Sequence, residues 1–467
     1  MREFAMSIDG AAVAAQPAFG VIDPSTGEVF ADAPECTREQ LDDAMAAAAA
    51  AHTWGQDDQA RVAALVQAAD AVAAAQDELA PILAREQGKP LQAAAFEVAE
   101  SARWLRASAD LEVPLEVIQD DEHGYATVER RPLGVVAAIT PWNFPLLLAG
   151  WKLGPALRAG NTVVLKPSPF TPLSSLALGE VLNQALPPGV VNVVSGGDEL
   201  GGWMTGHPLV RKISFTGSVA TGKRIAAAAA PDLKRYTLEL GGNDAAIVLP
   251  DADVGRIGRR LFWGAFINNG QICAGIKRIL VPESLHDELV EVLAEWASRV
   301  RVGAWDEPRA QLGPVNNAPQ FERVSGLVED AVARGAKVAV GGAPLPRPGY
   351  FFAPTILTGV AEGTPIVDEE QFGPALPVLA YRTVAEAVER ANATCFGLSG
   401  SVWGTDTDQA ATVAAQLDSG VVFVNDHLTL EPHMPFGGVK WSGAGVENGP
   451  WGLEEFSSLR TFYRSRR

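Results

Sequence analysis

The sequence predicts an α/β protein with a doubly wound, mostly parallel sheet and a second α/β domain after it. Three observations carry this. From Val135 to about Ala230, short β-branched runs alternate with turn residues and helical stretches, as β-turn-α units do when they lay strands parallel. After about Gly241 a second alternation of the same kind begins. Before both, residues near 38–110 are rich in Ala, Leu, Glu and Gln with few Gly or Pro, which is helix composition. The chain of 467 residues has room for roughly three lobes at about 150 residues each.

The elements follow in order. The unbroken alanines Ala46–Ala51 mark the first region as scaffold helices. Val135–Ile139 reads as a buried strand, followed by Pro141-Trp142-Asn143-Phe144-Pro145 and a helix from about Leu146. Leu133 to Trp151 carries no charge, yet its prolines and Asn143 would break a membrane helix and strand an amide in lipid. Thr162–Leu165 is the next strand. Lys166-Pro167-Ser168-Pro169 follows, with Thr171 and Pro172 as N-cap and N1 signals for a helix. Val190–Val194 leads into Ser195-Gly196-Gly197, and Lys212–Phe215 into Thr216-Gly217-Ser218 and a helix through Ala226–Ala230. In the second domain, Ala245–Leu249, Ile279–Val281, Lys337–Val340 and Val378–Tyr381 read as strands, and His286–Val300 and Pro319–Arg334 as helices. Gly420–Asn425 returns as a strand before a glycine-rich stretch from Phe436 to Gly452. Gln119–Arg131, turning at His123-Gly124, and the last dozen residues read as extended segments suited to pairing with a partner subunit.

The net charge of −19 argues against nucleic acid as a partner, which needs a clustered basic surface. Arg460, Arg464, Arg466 and Arg467 form a basic tail that reads as a solvated terminus. Three cysteines, Cys36, Cys273 and Cys395, make no disulfide framework and suit a reducing cytoplasm. Met1-Arg2-Glu3-Phe4 lacks the apolar core of a signal peptide. The six histidines show no ligand spacing, so no metal is expected.

Three residues could carry chemistry. Cys273 lies in Asn268-Asn269-Gly270-Gln271-Ile272-Cys273-Ala274-Gly275. A lone thiol there is either a nucleophile or a buried small hydrophobe. Cys36 and Cys395 lack such surroundings and read as inert. Glu239, flanked by Leu238 and Leu240 and closed by Gly241-Gly242, is set to be desolvated, which raises a carboxyl toward the range of a general base. It could equally bind backbone N–H groups. Asn143, between Trp142 and Phe144, could donate to an oxyanion or tie down its own turn. Phe215-Thr216-Gly217-Ser218, after a strand and at a helix start, is the best-placed phosphate loop. Gly443-Ala444-Gly445 lacks the third glycine of a dinucleotide fingerprint.

Together these segments resemble the aldehyde dehydrogenase superfamily, collinearly from about residue 20 to the end. Ile22-Asp23-Pro24-Ser25-Thr26-Gly27-Glu28 comes first, then Pro141-Trp142-Asn143-Phe144-Pro145, Leu165-Lys166-Pro167-Ser168, Phe215-Thr216-Gly217-Ser218 with Gly222, and Leu238-Glu239-Leu240-Gly241-Gly242-Asn243. Gly270-Gln271-Ile272-Cys273, Glu369-Glu370-Gln371-Phe372-Gly373-Pro374 and Pro435-Phe436-Gly437-Gly438 with Lys440, Ser442 and Gly443 complete the series. Glu239 and Cys273 stand 34 residues apart, the family's usual spacing.

The resemblance implies a Rossmann-like cofactor domain from 1–112, 132–240 and 431–452. It implies a catalytic domain at 241–430 and an oligomerisation element from 113–131 and 453–467. Cys273 would attack an aldehyde, Asn143 and the Cys273 N–H would hold the oxyanion, and Glu239 would activate water to release the acid from a thioester. NAD, or NADP as the alternative, would take the hydride. Lys166 would bind its adenosine ribose, Ser218 the pyrophosphate and Glu370 the nicotinamide ribose, with Phe372 against the nicotinamide. Ile139, Thr140, Pro141, Trp142, Ser168, Pro169, Gly197, Phe215, Thr216, Gly217, Gly222, Leu240 and Gly241 would complete the cofactor site.

Phe144, Leu147, Leu148, Trp151, Ile272, Ala274, Leu430 and Phe436 would line the substrate mouth, which favours an uncharged aliphatic or aromatic aldehyde. Two departures stand out: Pro169 where many NAD-preferring relatives carry an acid, and Ala274 after the nucleophile. The CoA-acylating branch typically lacks the general-base Glu, which this chain has. A retired, binding-only relative would have lost Cys273, Glu239 or Asn143. A homodimer or homotetramer is implied.

Overall fold

The computed structural model describes residues 3–14 and 16–466. Met1, Arg2, Ala15 and Arg467 lie outside the described residues, and with them the first residues of the expected cofactor domain and the end of the basic tail. Among the described residues, the strands form four sheets.

The largest sheet runs Gly443–Ala444, Arg235–Glu239, Val210–Thr216, Val135–Ile139, Thr162–Lys166, Val191–Val193, Met6–Ile8, Ala11–Val13. Its five inner strands are parallel, and Val135–Ile139 and Thr162–Lys166 are buried throughout. They read as unbroken apolar runs because helices cover both faces. Helices Pro145–Arg158, Leu173–Leu182, Asp198–Gly206 and Val219–Ala229 connect these strands. The order reverses at Val135–Ile139, so the C-terminal ends of Val135–Ile139 and Val210–Thr216 flank the crevice where such sheets bind ligands.

A seven-stranded sheet follows, in the order Lys337–Val340, Thr355–Thr358, Ala375–Tyr381, Ile276–Pro282, Asp244–Val248, Ser399–Trp403, Val421–Val424. Only its first pairing is antiparallel. Its two faces carry separate apolar cores. Ser457–Ser465, Gly124–Pro132 and Leu115–Asp120 form an antiparallel sheet whose outer side chains Leu115, Val117, Ile118, Leu459, Phe462 and Tyr463 are exposed. Ala18–Asp23 and Glu28–Pro34 make a hairpin sheet. No helix among the described residues is long and apolar enough to cross a membrane.

Several strands escaped sequence reading. Met6–Ile8, Ala11–Val13, Arg235–Glu239, Thr355–Thr358 and Ser399–Trp403 are short or mixed in polarity. One predicted cap is corrected. Thr171 and Pro172 do not cap the helix that follows them: Pro172 is its N-cap with no side-chain bond, and the Thr171 hydroxyl has no partner. The buried Glu86 carboxylate instead accepts from the N–H groups of Leu173 (2.7 Å) and Ser174 (2.9 Å). A remote carboxyl satisfies two end N–H groups at once, which the local hydroxyl cannot match.

Candidate active site

Asn143 stands where Val135–Ile139 has ended and helix Pro145–Arg158 has not begun. Its amide donates to the Gln271 carbonyl at 2.9 Å, across to the loop that carries Cys273. Its own carbonyl accepts from Lys89 Nζ (2.8 Å) and Asn268 Nδ2 (3.1 Å). Lys89 also pairs with Glu97 at 2.5 Å, both side chains 1% exposed. Glu97 in turn accepts from the N–H groups of Leu146 and Leu147. The turn is held from both sides, which leaves the second amide N–H of Asn143 free to point at a ligand.

Cys273 lies in the turn between Gln271 and strand Ile276–Pro282. Asn268 and Asn269 adopt positive φ there (50° and 59°), a conformation asparagine tolerates better than most residues. The thiol is partly buried. Burial, and after it the nearby Glu239 charge, hold its pKa well above the ordinary value, against the pull of Lys277.

Glu239 ends strand Arg235–Glu239 and is 2% exposed. Neither of its oxygens has a fully formed hydrogen bond. The Cys273 thiol faces it as a weak donor. Burial, then the charge of Glu447, push the Glu239 pKa well up, and Lys152 opposes them. Lys152 bonds Glu447 at 2.5 Å and the Thr216 hydroxyl at 2.8 Å, fully buried. The site thus sets a thiol beside a buried carboxyl, both of which burial holds toward their protonated forms.

A cleft and an apolar cluster meet at Cys273. The first is a cleft of about 640 Å³ bordered by Pro141, Trp142, Asn143, Thr216, Gly217, Ser218, Leu240, Gly241, Glu370 and Phe372. The second is an apolar cluster of Phe144, Leu147, Leu148, Trp151, Ala274, Leu430 and Phe436 with Cys273. Trp104, Leu398, Val421 and Leu428 belong to it as well. Trp104 stacks on Trp151 at 5.6 Å and Phe436 meets Trp151 edge-on at 5.4 Å. Ile272 is buried but outside this cluster. Just beyond Trp104, Arg103 pairs with Glu100 and Glu431 at 2.7 Å each.

The cleft's features suit a dinucleotide. Ser218 caps helix Val219–Ala229, whose first N–H groups face the cleft and suit an anion. The buried Lys166 amine bonds only the Pro167 carbonyl (3.2 Å) among the described residues, and burial pulls its pKa down to about 8. It is short of acceptors that ribose hydroxyls would provide. A side chain at Gly241 would strike the Glu370 carboxylate, which accepts from the Gly242 N–H at 3.1 Å. One on Gly222 would strike Leu240 at 2.6 Å. Phe372 meets Trp142 edge-on at 5.2 Å.

The remaining expected cofactor residues sit around the same strand ends. Ile139 and Thr140 follow the central strand, Ser168 and Pro169 follow Thr162–Lys166, and Phe215 packs beneath Gly217. Gly197 begins helix Asp198–Gly206 with open space around it.

Sequence reading missed Lys89, Glu97, Trp104, Lys152 and Glu447. The first three lie in or beside the helices read as plain scaffold, and only a charged or aromatic residue amid alanines could have flagged them. Cys395, read as inert, is partly exposed and borders the cleft. For Cys36 burial drives the thiol pKa up to about 12.

Comparison with known proteins gives a consistent answer. The model of the "Aldehyde dehydrogenase family" matches residues 12–462. Human retinaldehyde dehydrogenase 3 is 37% identical over 455 residues, covering 95% of this chain and 89% of that protein. The chloroplastic betaine aldehyde dehydrogenase of Beta vulgaris is 36% identical over 460 residues, covering 94% and 91%. The NAD+ complex of aldehyde dehydrogenase from Bacillus cereus superimposes with a TM-score of 0.97 at 34% identity, covering 99% of this chain and 97% of that one. A thiol and a buried carboxyl at the junction of a nucleotide-sized cleft and an apolar cluster, matched by relatives along nearly the whole chain, mean that this protein belongs to the aldehyde dehydrogenase family and is an NAD(P)-dependent oxidoreductase of aldehydes.

Proposed function

We propose that Cys273, Glu239 and Asn143 carry the oxidation of an uncharged, hydrophobic aldehyde to its acid. The observation that carries this reading is the position of Cys273, which borders both the cleft and the apolar cluster. Glu239 accepts the thiol proton, and the sulfur attacks the carbonyl carbon. The Asn143 amide and the Cys273 N–H hold the resulting oxyanion, a contribution of roughly 10² to 10³ in rate per donor. Bound nicotinamide would accept the hydride that leaves the carbonyl carbon as the oxyanion collapses to the Cys273 thioester. Glu239 releases that proton to solvent, then takes one from water as the water attacks the Cys273 thioester; the acid leaves and Glu239 returns the proton to the sulfur.

The side chains of the apolar cluster point to the substrate class. It is built from Phe144, Leu147, Leu148, Trp151, Leu430 and Phe436, and beyond Trp104 the cation Arg103 is already paired with both Glu100 and Glu431. An acidic semialdehyde would want an unpaired cation there. Lys166, Ser218 and Glu370 hold the adenosine ribose, the pyrophosphate and the nicotinamide ribose in turn. NAD is the preferred cofactor, although Pro169 leaves the adenosine 2′ position without its usual carboxylate.

The division into cofactor domain (1–112, 132–240, 431–452), catalytic domain (241–430) and oligomerisation element (113–131, 453–467) fits the sheets. The exposed apolar side chains of the three-stranded sheet support a homodimer or homotetramer. Three unpaired thiols suit the cytoplasm.

The test is absorbance of reduced nicotinamide with aliphatic, aromatic and semialdehyde panels, NAD and NADP in parallel, and Cys273→Ala as control. Turnover of apolar aldehydes that vanishes in the variant is expected. Turnover that survives Cys273→Ala overturns the nucleophile assignment. Acid as the product whether or not CoA is present separates this reading from acyl transfer to CoA.

A further inference from the structure

The proposed chemistry leaves one buried cation without a task. Lys277 opens strand Ile276–Pro282 and is 3% exposed. No carboxylate pairs with it among the described residues. Its ammonium instead donates to three carbonyls of the nucleophile turn: Ile272, Cys273 at 3.2 Å and Gly275 at 3.3 Å. The fourth carbonyl of the turn, that of Ala274, is met by His427 Nε2 at 2.8 Å and the Ser399 hydroxyl at 3.3 Å. Every carbonyl from Ile272 to Gly275 is therefore held by a side-chain donor, three of them by Lys277.

Peptide geometry converts this into an effect on the reaction face. The Ile272 carbonyl and the Cys273 N–H belong to one trans peptide and point in opposite directions. Holding that carbonyl against Lys277 aims the Cys273 N–H away from Lys277. In the reading above, that N–H is the second donor to the oxyanion. A fixed positive charge behind the same peptide also polarises it. Lys277 lies 5.8 Å from the centre of the Phe372 ring, so it sits between the nucleophile turn and the cleft.

We propose that Lys277 is a positioning residue: its ammonium gathers the carbonyls of the Cys273 turn, aims the Cys273 N–H at the oxyanion, and favours the thiolate. The proposal rests on Cys273 being the nucleophile. Four other titratable groups face this cluster, and each bears on its pH dependence. Glu239, Glu370 and Asp244 are acidic and oppose a thiolate. His427, whose pKa burial drives down to about 4, is neutral near pH 7. Lys277 is the cation that counters the three carboxyls at the thiol.

The experiment compares full-length wild type, Lys277→Gln, Lys277→Met and Lys277→Arg. Iodoacetamide alkylation of Cys273, followed by peptide mass spectrometry, is measured from pH 6 to 11, beside steady-state kinetics and thermal melting. Lys277→Arg keeps the charge and is expected to track wild type. The neutral variants are expected to shift the alkylation midpoint upward by about one pH unit, a tenfold slower reaction at pH 8, with lower kcat and unchanged KM for the cofactor. A folded neutral variant with the wild-type midpoint and kcat overturns the proposal. Should neither neutral variant fold, Lys277→Arg decides: a wild-type midpoint supports the role and a shifted one refutes it. If Cys273→Ala keeps its turnover, the nucleophile assignment falls and this proposal with it. If that variant is dead while Lys277→Gln is normal, only this proposal falls.

Discussion

Glu239 shows how one residue's environment decides its role. Burial and the Glu447 charge hold its carboxyl protonated above the usual range, while the working form in both proposed steps is the carboxylate. Cys273 is shifted the same way, and its working form is the thiolate. Both gain activity as protons leave, so kcat/KM is expected to climb with pH through neutrality into the alkaline range. A profile that falls above pH 7 refutes this assignment. Glu239→Gln is expected to remove the base but spare the scaffold, slowing steady-state turnover by about 10² to 10⁴. Asn143→Ala is expected to lower kcat by about 10² to 10³ with cofactor binding, read by fluorescence quenching, unchanged.

At the scale of elements, two buried carboxylates from neighbouring scaffold segments hold the helices of the site. Glu86 caps Leu173–Leu182 and Glu97 caps Pro145–Arg158. Glu97 is also half of a buried ion pair with Lys89. Removing one partner leaves the other charge buried and unpaired, which costs about 3 to 5 kcal/mol. Glu97→Ala is expected to lose that much in urea unfolding, and Lys89→Met combined with Glu97→Leu to recover most of it.

His427, in the loop after Val421–Val424, carries a pH effect. Burial pulls its folded pKa down to about 4 from the ordinary 6.5, so the unfolded chain takes up the proton first as pH falls. Stability therefore drops from about pH 6.5 down to about 4, by roughly 3 kcal/mol in all. His427→Asn should flatten that limb. An unchanged slope between pH 4.5 and 7 shows that the acid sensitivity arises elsewhere.

For the whole molecule, the unsolved surface is the sheet of Leu115–Asp120, Gly124–Pro132 and Ser457–Ser465. Val117, Ile118, Leu459 and Phe462 stand exposed on it, an apolar patch that a monomer would leave in water. Val117→Asp with Phe462→Asp is expected to reduce the mass seen by light scattering to that of a single chain, and unchanged assembly sinks this surface as the interface. Cofactor choice is also decided at this scale, by what surrounds Pro169. Pro169→Glu is expected to raise the NAD:NADP ratio of kcat/KM by restoring an acceptor for the 2′-OH and a repulsion toward a 2′-phosphate.

The sequence alone determined the architecture and the nucleophile, base and oxyanion donor proposed for it. Val135–Ile139 and Thr162–Lys166 were legible because strands buried on both faces are continuous apolar runs. Cys273, Glu239 and Asn143 stood out because each sits in a short segment of unusual local chemistry, and the roles proposed for them come from the collinear resemblance. Only the tertiary structure decided what supports them. Lys89 meets the Asn143 carbonyl across 54 positions of chain, Glu97 meets the Leu146 and Leu147 N–H groups across 49 and 50, and Glu447 reaches Lys152 across 295. Thr171 lost its cap to Glu86 in the same way. The physical reason is burial. A charged side chain excluded from water must find its partner wherever the fold brings one, and no local pattern records that distance.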